Sequence, residues 1–257
     1  MLKKNDTVEI DITDLAQDGN GVGRADGTVV FVPAAAPGDR IRAKIVKVSP
    51  KLCYGIIDEL LVSSPDRCDA GCPAFPQCGG CSLRHITYEA ECRLKQHWVQ
   101  ENMRRIGKID VQCLPILPSP QEKHYRNKAI YPIQMQSGQV RIGFYAKRSH
   151  RIAGVWDCEL HPPVFSRAVE ALYGWICENN VSVYDETTHR GLLRALFLRW
   201  GEATGSLMAA VVANGDKLPA CDDLITRLRK AVPELTSLIL NTNRDATNVL
   251  QIGRAHV

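Results

Sequence analysis

The sequence predicts a mixed fold, an all-β unit over residues 1–62 followed by an α+β region over 63–250, and three observations predict it. Short alternating apolar runs open the chain, a Pro/Gly/Cys-rich knot interrupts it at 63–84, and helical and strand periodicities then follow one another. With 257 residues and 45% hydrophobic content, the chain can bury one large core or two smaller ones.

The first unit rests on alternation at Val8, Ile10 and Ile12, again from Thr28 to Val32, and at Ile41, Ala43 and Ile45. Glycines 19, 21, 23 and 27 fall between the first two of these runs, and Pro37-Gly38-Asp39 makes a turn before the third. Short strands at this spacing predict a five-stranded barrel of the oligonucleotide-binding kind. Gly19-x-Gly21-x-Gly23 is not a dinucleotide fingerprint, because a strand rather than a helix follows it; it reads as a loop.

Beyond the knot, Ile86 to Ile106 has helical character, with Leu94, Trp98, Met103 and Ile106 on one face. Ala129 to Met135 and Val140 to Tyr145 read as a hairpin joined by Gln136-Ser137-Gly138-Gln139. A second amphipathic helix carries Phe165, Val169, Leu172 and Ile176, and strands are expected at 192–200, 207–213 and 237–241, with a third helix after Pro219.

The net charge of +4 says little about partners, but its distribution says more. From Lys123 to Arg151 there are seven basic residues and no acidic one, an electrostatic footprint for a polyanion. Within it, Arg126, Lys128, Lys147 and Arg148 are the residues expected to contact phosphate, with Tyr125 placed to stack on an unpaired base. Tyr131 and Phe144 are read at least as readily as core residues. On the barrel, Arg24, Arg40, Arg42 and Lys44 are more simply the wet face of strands. No stretch approaches the ~20 apolar residues of a membrane span and no apolar signal core opens the chain, so a cytoplasmic protein without membrane contact is expected.

Ten cysteines without a secretion signal argue for metal or redox chemistry rather than disulfides. Cys72, Cys78 and Cys81 crowd one short loop in which Gly79 and Gly80 allow a tight turn. Three close thiols plus a distant one favour an iron-sulfur cluster, whereas structural zinc more often takes matched knuckles. Cys158 is one candidate for the distant ligand. Cys68 is the rival, and would complete a compact four-cysteine zinc site.

In order along the chain, these residues resemble one family. Gly19-x-Gly21-x-Gly23-Arg24, Val29-Val30-Phe31-Val32-Pro33 and Pro37-Gly38-Asp39 resemble the TRAM RNA-binding domain. The run Cys72 to Cys81 is similar to the cluster motif of the 23S rRNA (uracil-5-)-methyltransferases. Tyr125-Arg126-Asn127-Lys128, Gly143-Phe144-Tyr145, Ser149-His150 and Cys158 resemble their central domain, and Asn241-Thr242-Asn243 with Thr247-Asn248-Val249 the segment before their catalytic domain.

The resemblance implies a [4Fe-4S] cluster on Cys72, Cys78, Cys81 and Cys158, with Cys68 outside the pattern. It implies S-adenosylmethionine as methyl donor, RNA (23S rRNA) as partner, and a monomer. In such enzymes a cysteine thiolate adds to carbon six of an extruded uracil, carbon five takes the methyl group, and a carboxylate removes its proton. No catalytic residue is assigned in this chain. Residues 251–257 do not match the family. The resemblance therefore sets the expectation of a truncated, inactive chain whose Rossmann-like catalytic domain is absent, ending in a non-native tail. The other reading is a non-catalytic RNA-binding iron-sulfur or zinc protein.

Overall fold

The computed structural model describes residues 2–247. The expected tail, 251–257, lies outside them. The chain divides into two compact units: Met1–Pro76 with Gly80–Pro120, and Gln77–Gly79 with Gln121–Val257.

In the first unit, β1 (Thr7–Leu15), β2 (Asn20–Ala25), β3 (Thr28–Pro33), β4 (Arg40–Val48) and β5 (Leu52–Val62) close a barrel in the order β1-β2-β3-β5-β4. Alternation sends Ile10, Ile12, Val30, Val32, Ile41 and Ile45 into its core, each buried. Gly21 and Gly23, read from the sequence as loop, lie inside β2. A Cβ on Gly23 would sit 2.3 Å from Ile10 Cγ2 and 2.6 Å from the Asp11 carbonyl oxygen, so the strand passes β1 too closely for any side chain.

Asp39, before β4, is 1% exposed and is held from several directions. Its carboxylate accepts from the Ala36 N–H at 2.6 Å, the Ser64 N–H at 2.9 Å and the Arg67 Nη2 at 2.7 Å. Arg67 Nη2 also donates to the Ala34 carbonyl at 2.8 Å. Burial alone would raise the Asp39 pKa, but Arg67 and the two backbone donors hold it below the usual carboxylate range.

Helix α1 (Tyr88–Arg105) starts at Thr87, whose hydroxyl accepts from the Ala90 N–H at 3.3 Å, a cap contributing about 1 kcal/mol. Trp98 Nε1 donates to the Leu15 carbonyl at 2.8 Å and pins the helix to the end of β1. Ile106, expected on its apolar face, is 78% exposed instead.

The second unit is a five-stranded sheet in the order β10-β9-β8-β6-β7, from β6 (Lys128–Gln136), β7 (Gln139–Ile142), β8 (Leu193–Gly201), β9 (Ser206–Ala213) and β10 (Leu235–Thr242). Its pairs are antiparallel except β9 with β10. Ser137 and Gly138, with φ of 51° and 76°, make the tight turn between β6 and β7. Helices α2 (Pro163–Glu178) and α3 (Cys221–Ala231) cover one face, where Tyr131, Phe165, Leu172, Trp175, Leu196 and Leu224 share a core.

Each unit closes its own buried core. Among the described residues no three His, Cys, Asp or Glu side chains gather to hold a metal ion, so the expected iron-sulfur loop is not supported. No described helix is long and apolar enough to cross a membrane.

Candidate nucleic-acid interface

The basic residues singled out in the sequence fall into two groups at opposite ends of β6. Tyr125 and Arg126 lead into the strand, where the Arg126 N–H donates to the Leu160 carbonyl at 2.8 Å, and Lys128 begins it. All three are exposed, Tyr125 by 54%. Lys147 and Arg148 sit at the tip of a finger that follows β7, and both are exposed.

The finger is shaped by its own backbone. Tyr145 bridges Ile152, the Ala146 N–H donates to the Arg151 carbonyl at 2.8 Å, and Arg148 takes a φ of 54° at the reversal. Gln77–Gly79 lies along it as an extra edge: the Gly79 N–H donates to the Tyr145 carbonyl at 2.9 Å and the Lys147 N–H to the Gln77 carbonyl at 3.0 Å. On the other side, Gln134 Nε2 of β6 donates to the His150 carbonyl at 2.7 Å. Lys128 and Gln134 are six positions apart, roughly 20 Å along the strand.

Between the two groups lies a cleft of about 810 Å³ with apolar walls from Pro132, Val183, Ala195 and Val212. Its volume suits one nucleotide-sized group. The polar centre is Glu186, which accepts from the Tyr145 hydroxyl at 3.3 Å and meets His150 Nδ1 at 2.9 Å. Burial, and then the Glu186 carboxylate, pushes the Tyr145 phenol up to about 12, so it stays a neutral donor at ordinary pH.

Glu186 is presented by a turn in which Asp185 Oδ1 accepts from the Thr187 and Thr188 N–H groups at 2.7 and 3.2 Å. These two donors, first Thr187, lower the Asp185 pKa. Gly191 closes the same loop with a φ of +101°; a Cβ there would fall 2.1 Å from the Val183 carbonyl oxygen.

Arg194 of β8 also lines the cleft, but it is not available to a phosphate. Its guanidinium lies 4.2 Å from the Tyr184 ring centroid and donates to the carbonyls of Asn243, Asp245 and Thr247 at 2.7–2.8 Å. It holds the segment after β10 against the sheet. Behind the cleft, His161 stacks on Phe144 at 5.3 Å and Phe165 at 5.5 Å between ring centroids. Burial first, then Arg126, lowers its pKa to about 4.

Of the cysteines expected to bind a cluster, Cys72 and Cys81 belong to the first unit; Cys78, beside Ala146, and Cys158, in the turn before α2, belong to the second. On the barrel, Arg40 pairs with Glu9 and Arg42 with Glu9 and Glu59, so this surface is no uncompensated basic patch.

Sequence reasoning missed Glu186, Tyr184 and Arg194. A lone cation inside the apolar run Leu192-Leu193-Arg194-Ala195-Leu196 was a usable signal for the last. Glu186 had none, because its partners lie 36 and 41 positions away.

Residues 2–57 match the TRAM domain family. Over 250 residues the chain is 40% identical to an uncharacterised RNA methyltransferase of Halalkalibacterium halodurans, covering 97% of this chain and 55% of that protein. It is 36% identical to another from Listeria innocua over the same shares of each. The chain thus spans about half the length of the curated relatives it matches. A crystal structure of a Pyrococcus abyssi tRNA (uracil-54, C5)-methyltransferase with S-adenosyl-L-homocysteine shares the fold, with a TM-score of 0.68 at 24% identity over 94% of this chain and 53% of that one. The alignments run through 97% of this chain.

Proposed function

We propose that this chain serves the S-adenosylmethionine-dependent methylation of uracil carbon five in RNA, and that its described residues supply RNA recognition. The observation that carries this reading is the alignment of 250 residues with proteins named as RNA methyltransferases, joined to the TRAM match at residues 2–57. The exposed cations at both ends of β6 and the cleft between them support it. Arg126, Lys128, Lys147 and Arg148 neutralise phosphates, and Tyr125 stacks on an unpaired base. The cleft, apolar with Tyr145, His150 and Glu186 at its centre, takes one unstacked nucleotide and shields it from water.

The donor supplies the methyl group. The finer reading places the target in 23S rRNA, the protein in the cytoplasm and the chain as a monomer. Deleting the gene in its source organism should remove 5-methyluridine from 23S rRNA, read by nucleoside mass spectrometry, and restoring it should return the modification. Unchanged 5-methyluridine in rRNA, or loss from tRNA alone, would contradict the rRNA reading.

A [4Fe-4S] cluster on Cys72, Cys78, Cys81 and Cys158 rests on sequence spacing and resemblance alone. Protein purified without oxygen should then carry iron and acid-labile sulfide in equal amounts, lost in Cys158→Ser. Zinc retained in that variant and lost in Cys68→Ser would assign the rival site.

A further inference from the structure

The cleft of the second unit has two polar walls of different build. The finger, residues 143–152, is tied on both flanks, to Gln77–Gly79 by backbone and to β6 through Gln134. The turn opposite, residues 184–191, closes on itself. Its Asp185 N–H donates to the Arg190 carbonyl and its His189 N–H to the Asp185 carbonyl, both at 2.8 Å. Positions 187–190 are exposed. Glu186 joins this turn to the finger, through Tyr145 and His150.

The two arms of that junction differ in chemistry. The Tyr145 phenol, pushed up to about 12, offers Glu186 a neutral O–H at every ordinary pH. The His150 imidazole is 72% exposed, so it trades protons freely with water, and its Nδ1 lies 2.9 Å from the carboxylate. A neutral ring can still donate one N–H there. A protonated ring donates it with a full charge, and a charge-assisted bond is roughly twice as strong. Gln134 Nε2 holds the His150 carbonyl at 2.7 Å, so the ring is presented to Glu186 from an anchored backbone.

Few surrounding groups change charge in the same range. Lys147, Arg148 and Arg151 on the finger, Arg190 on the turn and Arg194 on β8 belong to classes that stay cationic where an imidazole titrates. The Thr187 and Thr188 N–H groups hold Asp185 below the usual carboxylate range, so it stays ionised too. β6 contributes the neutral Gln134. His189, whose Nδ1 lies 2.9 Å from the Tyr184 hydroxyl, is the other imidazole of the turn and the rival source of any pH effect.

We propose that Glu186 and His150 form a proton-sensitive clasp, which draws the 184–191 turn against the finger and narrows the cleft when the ring is charged, and loosens when the ring is neutral. The sign follows from the pair. The charge on His150 is present at low pH and lost as pH rises, so the cleft is more closed towards about pH 6 and more open towards about pH 8. Both partners are partly in solvent, which limits the effect to about fivefold in the ratio of closed to open. The clasp governs access whatever occupies the cleft, so its test needs no ligand and its failure is separate from that of the RNA reading.

The test is hydrogen exchange of the full chain at about pH 6 and about pH 8, with each amide corrected for its intrinsic rate. The Asp185 and His189 amides report the turn, and Val211, inside β9, reports global unfolding. Protection of the turn should be up to about fivefold higher at the lower pH, and the difference should shrink in about 1 M salt. The stability tied to His161 changes in the opposite direction with pH, and Val211 records it separately. His150→Gln, which keeps a neutral donor, should abolish the difference in the turn and leave Val211 as in the wild type. Glu186→Ala, which removes both arms, should lower protection of the turn about tenfold at both pH values.

Equal protection at the two pH values in the wild type, or a difference that survives in His150→Gln, would overturn the clasp. A difference lost in His189→Gln and kept in His150→Gln would assign the effect to the Tyr184–His189 pair and overturn it as well. If His150→Gln does not fold, the wild type decides: a difference indifferent to salt would contradict an ion pair.

Discussion

The arginine that clamps the barrel and the cations of the finger carry the same charge and do opposite things. Arg67 spends its guanidinium on a carboxylate whose side chain is 0% exposed and on a backbone carbonyl. Lys147 and Arg148 project from a reversal whose shape is set by backbone hydrogen bonds, with their side chains in solvent. The difference teaches that burial, not residue type, separates a cation that holds the fold from one that can meet a partner. Arg194 makes the point within the second unit: it lines the cleft, yet its donors are taken by three carbonyls.

Breaking the buried side of this contrast has the largest expected effect. Arg67→Ala leaves the Asp39 carboxylate buried without its main partner and should destabilise the first unit by about 3–5 kcal/mol, read by chemical denaturation. A loss under 1 kcal/mol would show that the clamp is not holding the barrel exit. Because the folded Asp39 pKa lies below its unfolded value, this stabilisation is present above the ordinary carboxylate pKa and lost as pH falls through the lower folded one.

His161 gives the next effect. Its pKa is lowered from 6.5 to about 4 in the folded chain, so the second unit should lose stability as pH falls from about 6.5 towards 4, by up to about 3 kcal/mol. Stability measured against pH in His161→Phe should flatten over that window; an unchanged profile would place the titration elsewhere.

Two smaller effects sharpen the exposed side. Lys147→Ala with Arg148→Ala should alter stability by no more than about 0.5 kcal/mol, as surface changes do, while reducing the salt dependence of RNA binding. A large drop in melting temperature would show that the finger's cations are structural. The Tyr131 hydroxyl is buried and finds no hydrogen-bond partner, and burial raises its pKa. Tyr131→Phe should therefore be neutral or stabilising by about 1 kcal/mol in thermal unfolding. A clear loss would mean that the hydroxyl has a partner after all.

The strands with strong alternation or long apolar runs were legible in the sequence, as at Ile41-x-Ala43-x-Ile45 and Leu193–Trp200, because burial of one or both faces writes itself into the residue pattern. β2 was not. Its glycines carry no strand preference: Gly23 is there because Ile10 and Asp11 of β1 leave no space for a Cβ, and Gly21 because Ala35 leaves none. The charge footprint from Lys123 to Arg151 could be read directly, but its division into two groups at the ends of β6 needed the hairpin to form. The spacing of Cys72, Cys78 and Cys81 suggested a metal centre; among the described residues no group of three or more potential ligands gathers.

The most direct measurement of the central claim is the salt dependence of single-stranded RNA binding by the wild-type chain and by a variant with Arg126, Lys128, Lys147 and Arg148 all changed to alanine. With four phosphate contacts removed, the slope of log K against log salt should fall by about 2.8 while the unfolding midpoint stays near that of the wild type. An unchanged slope in a folded variant would contradict the account.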